Sequence, residues 1–140
     1  MTDISLIGRS AVLADTGPLY AATDRKDQYH ARARRDMERL ARERRPVVVP
    51  YPILWESHGL VVRRLGVARA VSWLKEVQGN ALLVAPTNDD YAIALRRPLR
   101  YREHPISLFD AILAVMSDRV ARPVWTLDHH FDVMGSAVWR

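Results

Sequence analysis

Asp15, Thr16 and Gly17 stand at the centre of AVLADTGPLYAATD, residues 11–24. An acid behind a short apolar run and ahead of Thr-Gly fits two chemistries: half of an aspartic protease dyad, or the first ligand of a carboxylate-based metal nuclease. Three further acids could join it: Glu56 in PYPILWES, Asp110 in ISLFDAIL and Asp128 in VWTLDHHF. Four clustered carboxylates cannot all stay ionised without a cation, because like charges a few ångströms apart raise one another's pKa. A hard divalent ion, Mg²⁺ or Mn²⁺, resolves that conflict. Such ions favour carboxylate oxygen, polarise phosphoryl oxygens and lower the pKa of bound water. The chain has no cysteine and no His-Glu-x-x-His, which argues against thiolate sites and zinc. No glycine-rich phosphate loop is present either.

Each acid also has a structural role open to it. Asp15 could cap the helix that follows it. Asp110 lies three residues after Ser107, the S-x-x-D spacing of a capping box. Asp128 could cap a short helix over 129–133, and Glu56 could be a surface helix residue. His129 and His130, next to Asp128, could contact metal or phosphate, and are read as solvent-facing turn residues. His58, two positions after Glu56, points to a different helix face.

The elements that must position these acids follow from the hydrophobic pattern. The length, 140 residues, suits one domain, read as 11–140 behind a loose N-terminal extension of about ten residues. A buried strand over 11–14 ends at Asp15, and Pro18 opens a helix. Residues 27–44 form an amphipathic helix, with Tyr29, Ala33, Met37 and Leu40 on one face and Arg32, Arg35, Arg39 and Arg42 on another. PVVVP (46–50) is a second strand, followed by helices over about 52–64 and 67–78, with a break at Gly79-Asn80. LLVA (82–85) is a third strand; a helix spans 88–97, a basic loop 97–105, and an apolar helix runs from Ser107 to about Arg119. PVWTLD (123–128) is a fourth strand and AVW (137–139) a candidate fifth.

Alternating strands and helices imply an α/β fold, a mostly parallel sheet with helices on both faces. In such sheets ligands bind beyond the carboxyl ends of the strands. Asp15 and Asp128 fall there, and Glu56 lies one turn into the helix after the second strand. The pattern alone does not place Asp110, because its position depends on how residues 86–106 cross over. Asp15-Thr16-Gly17 leads into helix here, whereas in an aspartic protease it leads into more strand and needs a second carboxylate to share one proton. A haloacid-dehalogenase-type site would want an acid where Gly17 stands.

The chain carries a net charge of +5. Residues 25–45 alone hold nine basic residues against four acids. That suits a polyanionic partner or a solvated helix. No apolar run is long enough to span a membrane, and no basic-then-apolar leader opens the chain. Together with the absence of cysteine, this makes a cytoplasmic location the expectation.

At this point the motifs resemble those of PIN domains, most closely the VapC-type toxins of bacterial toxin–antitoxin pairs. VLADTGPLYAATDRKDQYH is similar to the family's opening block, with Asp27 to His30 as its Asp-x-x-His stretch. VVVPYPILWE is similar to the second block, YREHPISLFDAILAVMSD to the third and VWTLDHHF to the fourth, Thr-x-Asp-x-x-Phe. The resemblance runs from about Val12 to Trp139. It implies a three-layer α/β/α sandwich with a sheet of four or five strands, and Mg²⁺- or Mn²⁺-dependent endoribonuclease activity. Asp15, Glu56, Asp110 and Asp128 would be the metal-binding, catalytic acids, supported by the hydroxyls of Thr16 and Thr126. It also implies an RNA substrate, a cognate antitoxin and usually a homodimer.

The chain departs from the family in three places. Gly17 stands where many members have Asn. His130 stands where many have a further acid, with Asp132 as a partial substitute. The stretch before the first strand is longer than usual, as an upstream start codon would make it. Arg32, Arg35, Arg39, Arg100 and Arg102 are candidate contacts to RNA backbone, of the kind that supplies affinity but little sequence information. Trp55, Trp73, Trp125 and Trp139 are read as core or dimer-interface residues. Two alternatives stay open: a PIN-like module that binds RNA or protein without cutting, and a stand-alone RNA-processing nuclease.

Overall fold

In the computed structural model, which describes residues 7–140, four short strands form one parallel sheet in the order β3-β2-β1-β4. They are β1 (Val12–Ala14), β2 (Val47–Pro50), β3 (Leu82–Val84) and β4 (Val124–Trp125). Helices connect them: α1 (Thr16–Ala21) and α2 (His30–Arg42), α3 (Tyr51–Leu65) and α4 (Val67–Asn80), then α5 (Asn88–Ala94), α6 (Arg97–Arg100) and α7 (Leu108–Val120). A last turn, α8 (His130–Val133), follows β4. The α/β architecture is the one expected. β1 is buried along its whole length, as a central parallel strand with both faces covered must be. The chain steps from β1 to β2 and β3 on one side, then returns to place β4 on the other. The strand order therefore reverses between β1 and β4, which is where such sheets bind ligands.

The deviations from the sequence pattern have local causes. β4 stops at Trp125 rather than 128, because the Thr126 hydroxyl accepts the Asp128 N–H at 2.9 Å and turns the chain. α2 starts at His30 rather than 27. Before it, Asp24 and Asp27 accept the N–H groups of Lys26 and Tyr29, folding residues 24–29 into side-chain-bonded turns. Of the expected apolar face of α2, only Ala33 and Leu40 are buried; Tyr29 and Met37 are exposed. The basic loop contains a short helix, α6, with Pro98 in its first turn. The candidate fifth strand is a single parallel bridge from Val138 to Val124.

Residues 1–6 of the expected loose extension lie outside the described residues. Residues 7–10 are anchored: Ile7 is buried, Arg122 donates to the carbonyls of Ile7 and Gly8, and Arg45 to that of Ser10. Trp73, Trp125 and Trp139 are core residues, whereas Trp55 is 66% exposed. Among the described residues no helix is long and apolar enough to cross a membrane.

α7 is the spine of one layer. Residues 111–117 are all buried, so the helix is covered on every side by α3, α5, α6 and β4. Its contact with α5 is fixed by Asp90, which is 1% exposed. Both Asp90 oxygens accept from Arg119 at 2.8 Å, and one also accepts the Thr87 N–H of the α5 capping box. Asp90→Ala removes two charge-assisted hydrogen bonds and half of a cap. The expected loss is about 2–3 kcal/mol, read as a lower urea midpoint at unchanged slope.

Candidate active site

Asp15 is the first residue past β1 and is almost completely buried. One carboxylate oxygen caps α1 by accepting the Thr16 N–H at 2.8 Å, and the other accepts the Thr126 hydroxyl at 2.8 Å. Thr126 meanwhile accepts the Asp128 N–H. One hydroxyl from the end of β4 thus holds Asp15 and the backbone of Asp128 in a common frame. Asp128 is itself turned by its Oδ1, which accepts the His130 N–H at 2.9 Å.

Glu56 arrives from the second turn of α3. Pro52 near its start and an extended Pro50 ahead of it launch the helix directly from β2. The Thr16 hydroxyl donates to Glu56 Oε1 and accepts from the buried Ser57 hydroxyl at 3.1 Å. Ser57 is a site residue that sequence reasoning missed. Its only signal was a small hydroxyl next to Glu56.

The capping box at Asp110 forms as its spacing predicts. Asp110 Oδ2 accepts the Ser107 N–H at 3.0 Å and the Ser107 hydroxyl accepts the Asp110 N–H. α7 runs back antiparallel to the strands to feed β4, so its N-terminus opens at the carboxyl edge of the sheet. Asp15, Glu56, Asp110 and Asp128 consequently line one open cleft, together with Thr16 and Gly17. The structural roles considered for Asp15 and Asp110 are real, and neither removes the acid from the cleft.

The electrostatics of the cluster follow from this packing. Burial raises the Asp15 carboxyl to about 7 against the pull of the Thr126 hydrogen bond, and the nearby charges of Asp110 and Glu56 push it further. Glu56 is also raised, by burial first, with the Thr16 hydroxyl opposing and Asp110 adding to the rise. Asp110 is raised by burial, opposed by its Ser107 contacts, with Asp128 adding and His130 subtracting. Asp110 is the acid that acts on both Asp15 and Glu56. Among the described residues no lysine or arginine forms a salt bridge with any of the four.

His130 is not a solvent-facing turn residue. Its side chain is 14% exposed and its Nδ1 lies 2.7 Å from Asp128 Oδ1. His129 is exposed as expected. Donor atoms of Asp128, His129 and His130 lie within 4.8 Å of one another, a grouping of metal-ligand types.

The five candidate RNA-contacting arginines lie outside the cleft lining. Arg39 pairs with Glu43 and sits over the Trp139 ring. Arg100 lies over Tyr101, Arg102 donates to the Leu99 carbonyl, and Arg32 and Arg35 are exposed on α2. The arginine that does line the cleft is Arg64. Glu56, Leu60 and Arg64 recur every four residues and share one stripe of α3, a spacing that could have found it.

Among curated proteins no sequence matches this chain. Solved structures do match its fold. VapC20 of Mycobacterium tuberculosis, described as a sarcin–ricin loop cleaving toxin, is 22% identical with a TM-score of 0.80, over 93% of this chain and 99% of that one. VapBC2 of Rickettsia felis, solved bound to a DNA fragment from its promoter, is 14% identical with a TM-score of 0.71, over 93% and 97% of the two chains. FitAcB of Neisseria gonorrhoeae is 18% identical with a TM-score of 0.65, over 92% and 96%. A family model for the PIN domain matches residues 12–136, a span that contains all four cleft acids, and the chain belongs to the PIN domain family.

Proposed function

We propose that the chain, acting as one domain over residues 11–140, is a Mg²⁺- or Mn²⁺-dependent endoribonuclease and the toxin of a toxin–antitoxin pair. The observation that carries this reading is the meeting of four carboxylates in one cleft with no lysine or arginine salt-bridged to them, among the described residues, on a PIN fold. The donor set fits the ion. All four principal groups offer oxygen, and burial and mutual repulsion hold Asp15, Glu56 and Asp110 above the usual carboxylate range until a cation relieves them. Asp15, Glu56, Asp110 and Asp128 would hold it. When bound, the ion supplies Lewis-acid polarisation of a phosphoryl oxygen and a nucleophilic water near neutral pH.

The chain's own residues set the geometry. Thr126 fixes Asp15 against Asp128, Thr16 aims Glu56, and the capping box holds Asp110 by one oxygen, leaving the other for the cleft. His130 adds an imidazole where many family members have an acid. An RNA substrate, a cognate antitoxin, a homodimer and a cytoplasmic setting belong to the same reading, supported by the resemblance to VapC-type toxins. The His130 departure favours one second reading, a module that binds RNA or protein without cutting.

Total RNA incubated with the purified protein separates the two. Cleavage is expected with Mg²⁺ or Mn²⁺, to be abolished by EDTA and by Asp15→Asn, and to leave 5′-phosphate and 3′-hydroxyl ends. Thr126→Val is expected to cost about 10–100-fold, as for residues that orient ligands. Equal cutting by Asp15→Asn, or none by folded protein with metal, leaves the binding module as the better account.

The burial of Asp15, with its acidic neighbours adding to it, also sets a pH dependence. The folded, metal-free protein holds the Asp15 proton to about pH 7, whereas the unfolded chain releases it near 3.8. The folded state therefore binds the extra proton between those values, and stability falls as pH rises through them. Urea denaturation at pH 5 and pH 7.5 is expected to show this loss in the wild type and a smaller one in Asp15→Asn. Mg²⁺ or Mn²⁺ at pH 7.5 is expected to restore the wild type selectively. An identical pH response in both proteins would contradict a raised Asp15 pKa in the folded state.

A further inference from the structure

The cleft extends beyond its carboxylates, and its other lining residues are not needed to hold a metal. Arg64 is the only lysine or arginine among the residues that line it. It sits eight residues along α3 from Glu56, about 12 Å at the helix rise, on the same stripe. Its guanidinium lies over the Tyr20 ring, 5.2 Å from the centroid, interacts with the Tyr20 hydroxyl and feels the Asp24 charge, while its side chain stays exposed to the cleft. Tyr20 is itself fixed, because its hydroxyl donates to Asp24. Tyr29 lines the same cleft with 41% of its surface exposed. The turn that carries Tyr29 is braced by Asp27 Oδ1, which accepts the Tyr29 N–H, and by a 2.7 Å contact between His30 Nδ1 and the Ala21 carbonyl. An exposed guanidinium held over a tyrosine ring and an exposed aromatic ring, both beside an acidic site, match the two halves of a nucleotide.

We propose that Arg64 and Tyr29 form a substrate subsite beside the carboxylates. Arg64 takes a phosphate that flanks the scissile one, Tyr29 stacks on an unpaired base, and the RNA enters as a single-stranded or looped segment. This rests on the nuclease reading and deepens it by assigning the two side chains that hold the nucleotide beside the scissile phosphate. A duplex buries its base faces, whereas single strands and loops offer them to aromatic side chains. Arg64 also supplies attraction for a polyanion at an otherwise acidic cleft, through a planar fork suited to phosphate.

The test uses the full chain carrying Asp15→Asn, so that binding is read without cleavage, with Mg²⁺ present and a fluorescein-labelled, mixed-sequence single-stranded RNA 12-mer as probe. Anisotropy is followed over a salt series. Arg64→Ala is expected to weaken binding and to reduce the slope of log affinity on log salt by about 0.7, the value for one lost contact to a single strand. Arg64→Lys is expected to keep the slope. Tyr29→Ala is expected to weaken binding roughly 5- to 100-fold with the slope unchanged, and Tyr29→Phe to restore it. The same sequence annealed to its complement is expected to bind less tightly than the single strand.

Both residues are exposed enough that the variants keep the parent's thermal midpoint, which is checked directly. Unchanged affinity and slope in Arg64→Ala, unchanged affinity in Tyr29→Ala, or equal binding of duplex would overturn the subsite while leaving the nuclease reading intact. Failure of the parent to bind any RNA, together with no metal-dependent cutting by the wild type, would remove both.

Discussion

The Thr126 hydroxyl donates a hydrogen bond to Asp15 and accepts one from the Asp128 N–H, and the rest of the site depends on that arrangement. The two acids come from opposite ends of the chain and meet only because β4 lies beside β1. A parallel pair fixes the strands relative to one another but not the residues that run off their ends. Thr126 extends the register by one side chain past the last ladder bond. Thr16 does the same on the other flank, linking the start of α1 to Glu56 and Ser57 on α3. The cleft is thus a continuation of the sheet's order into side-chain hydrogen bonds, with little irregular loop between the scaffold and the acids.

That order gathers negative charge in one cleft, with Asp15 nearly shut off from water. Burial leads the rise at Asp15, Glu56 and Asp110, and the neighbouring acids add to it. A core of fully buried β1, buried α7 and the anchored Ile7 keeps the acids from moving apart to relieve the repulsion. Folding therefore presents an unmet demand for positive charge. Arg64 answers none of it directly, standing two helical turns away, and this leaves the demand among the acids themselves.

The architecture was legible in the sequence because strand and helix patterns alternate cleanly and each strand ends in proline, acid or polar residues. Asp15, Glu56 and Asp128 could be assigned to one sheet edge from that alone. Asp110 could not, since its place depends on a crossover through 86–106: the helix over 88–97 was legible, but the short α6 and the buried Asp90–Arg119 pair that set its geometry have no periodic signature. Charge was the poorest guide. The arginines of α2 are the most conspicuous basic feature of the chain, yet they lie off the cleft, because a helix's solvent face reveals nothing about which concavity it borders. His130 escaped for a related reason. A turn residue reads as exposed until the side chain that folds the turn, here Asp128, is seen to cover it.

Three of the four cleft acids also hold backbone: Asp15 caps α1, Asp110 closes the box at α7, and Asp128 turns the chain into α8. Among the described residues Glu56 accepts only from a side chain, the Thr16 hydroxyl. Heritable loss of the site is therefore not equally open at every position. A lineage drifting away from the family's chemistry would still need a side-chain acceptor at Asp15, Asp110 and Asp128 to hold that backbone, and selection against unfolded protein would resist substitutions that lack one. Glu56 is the position at which the chemistry can be shed and the scaffold retained, so decay of this cleft in descendants of the chain would begin on α3.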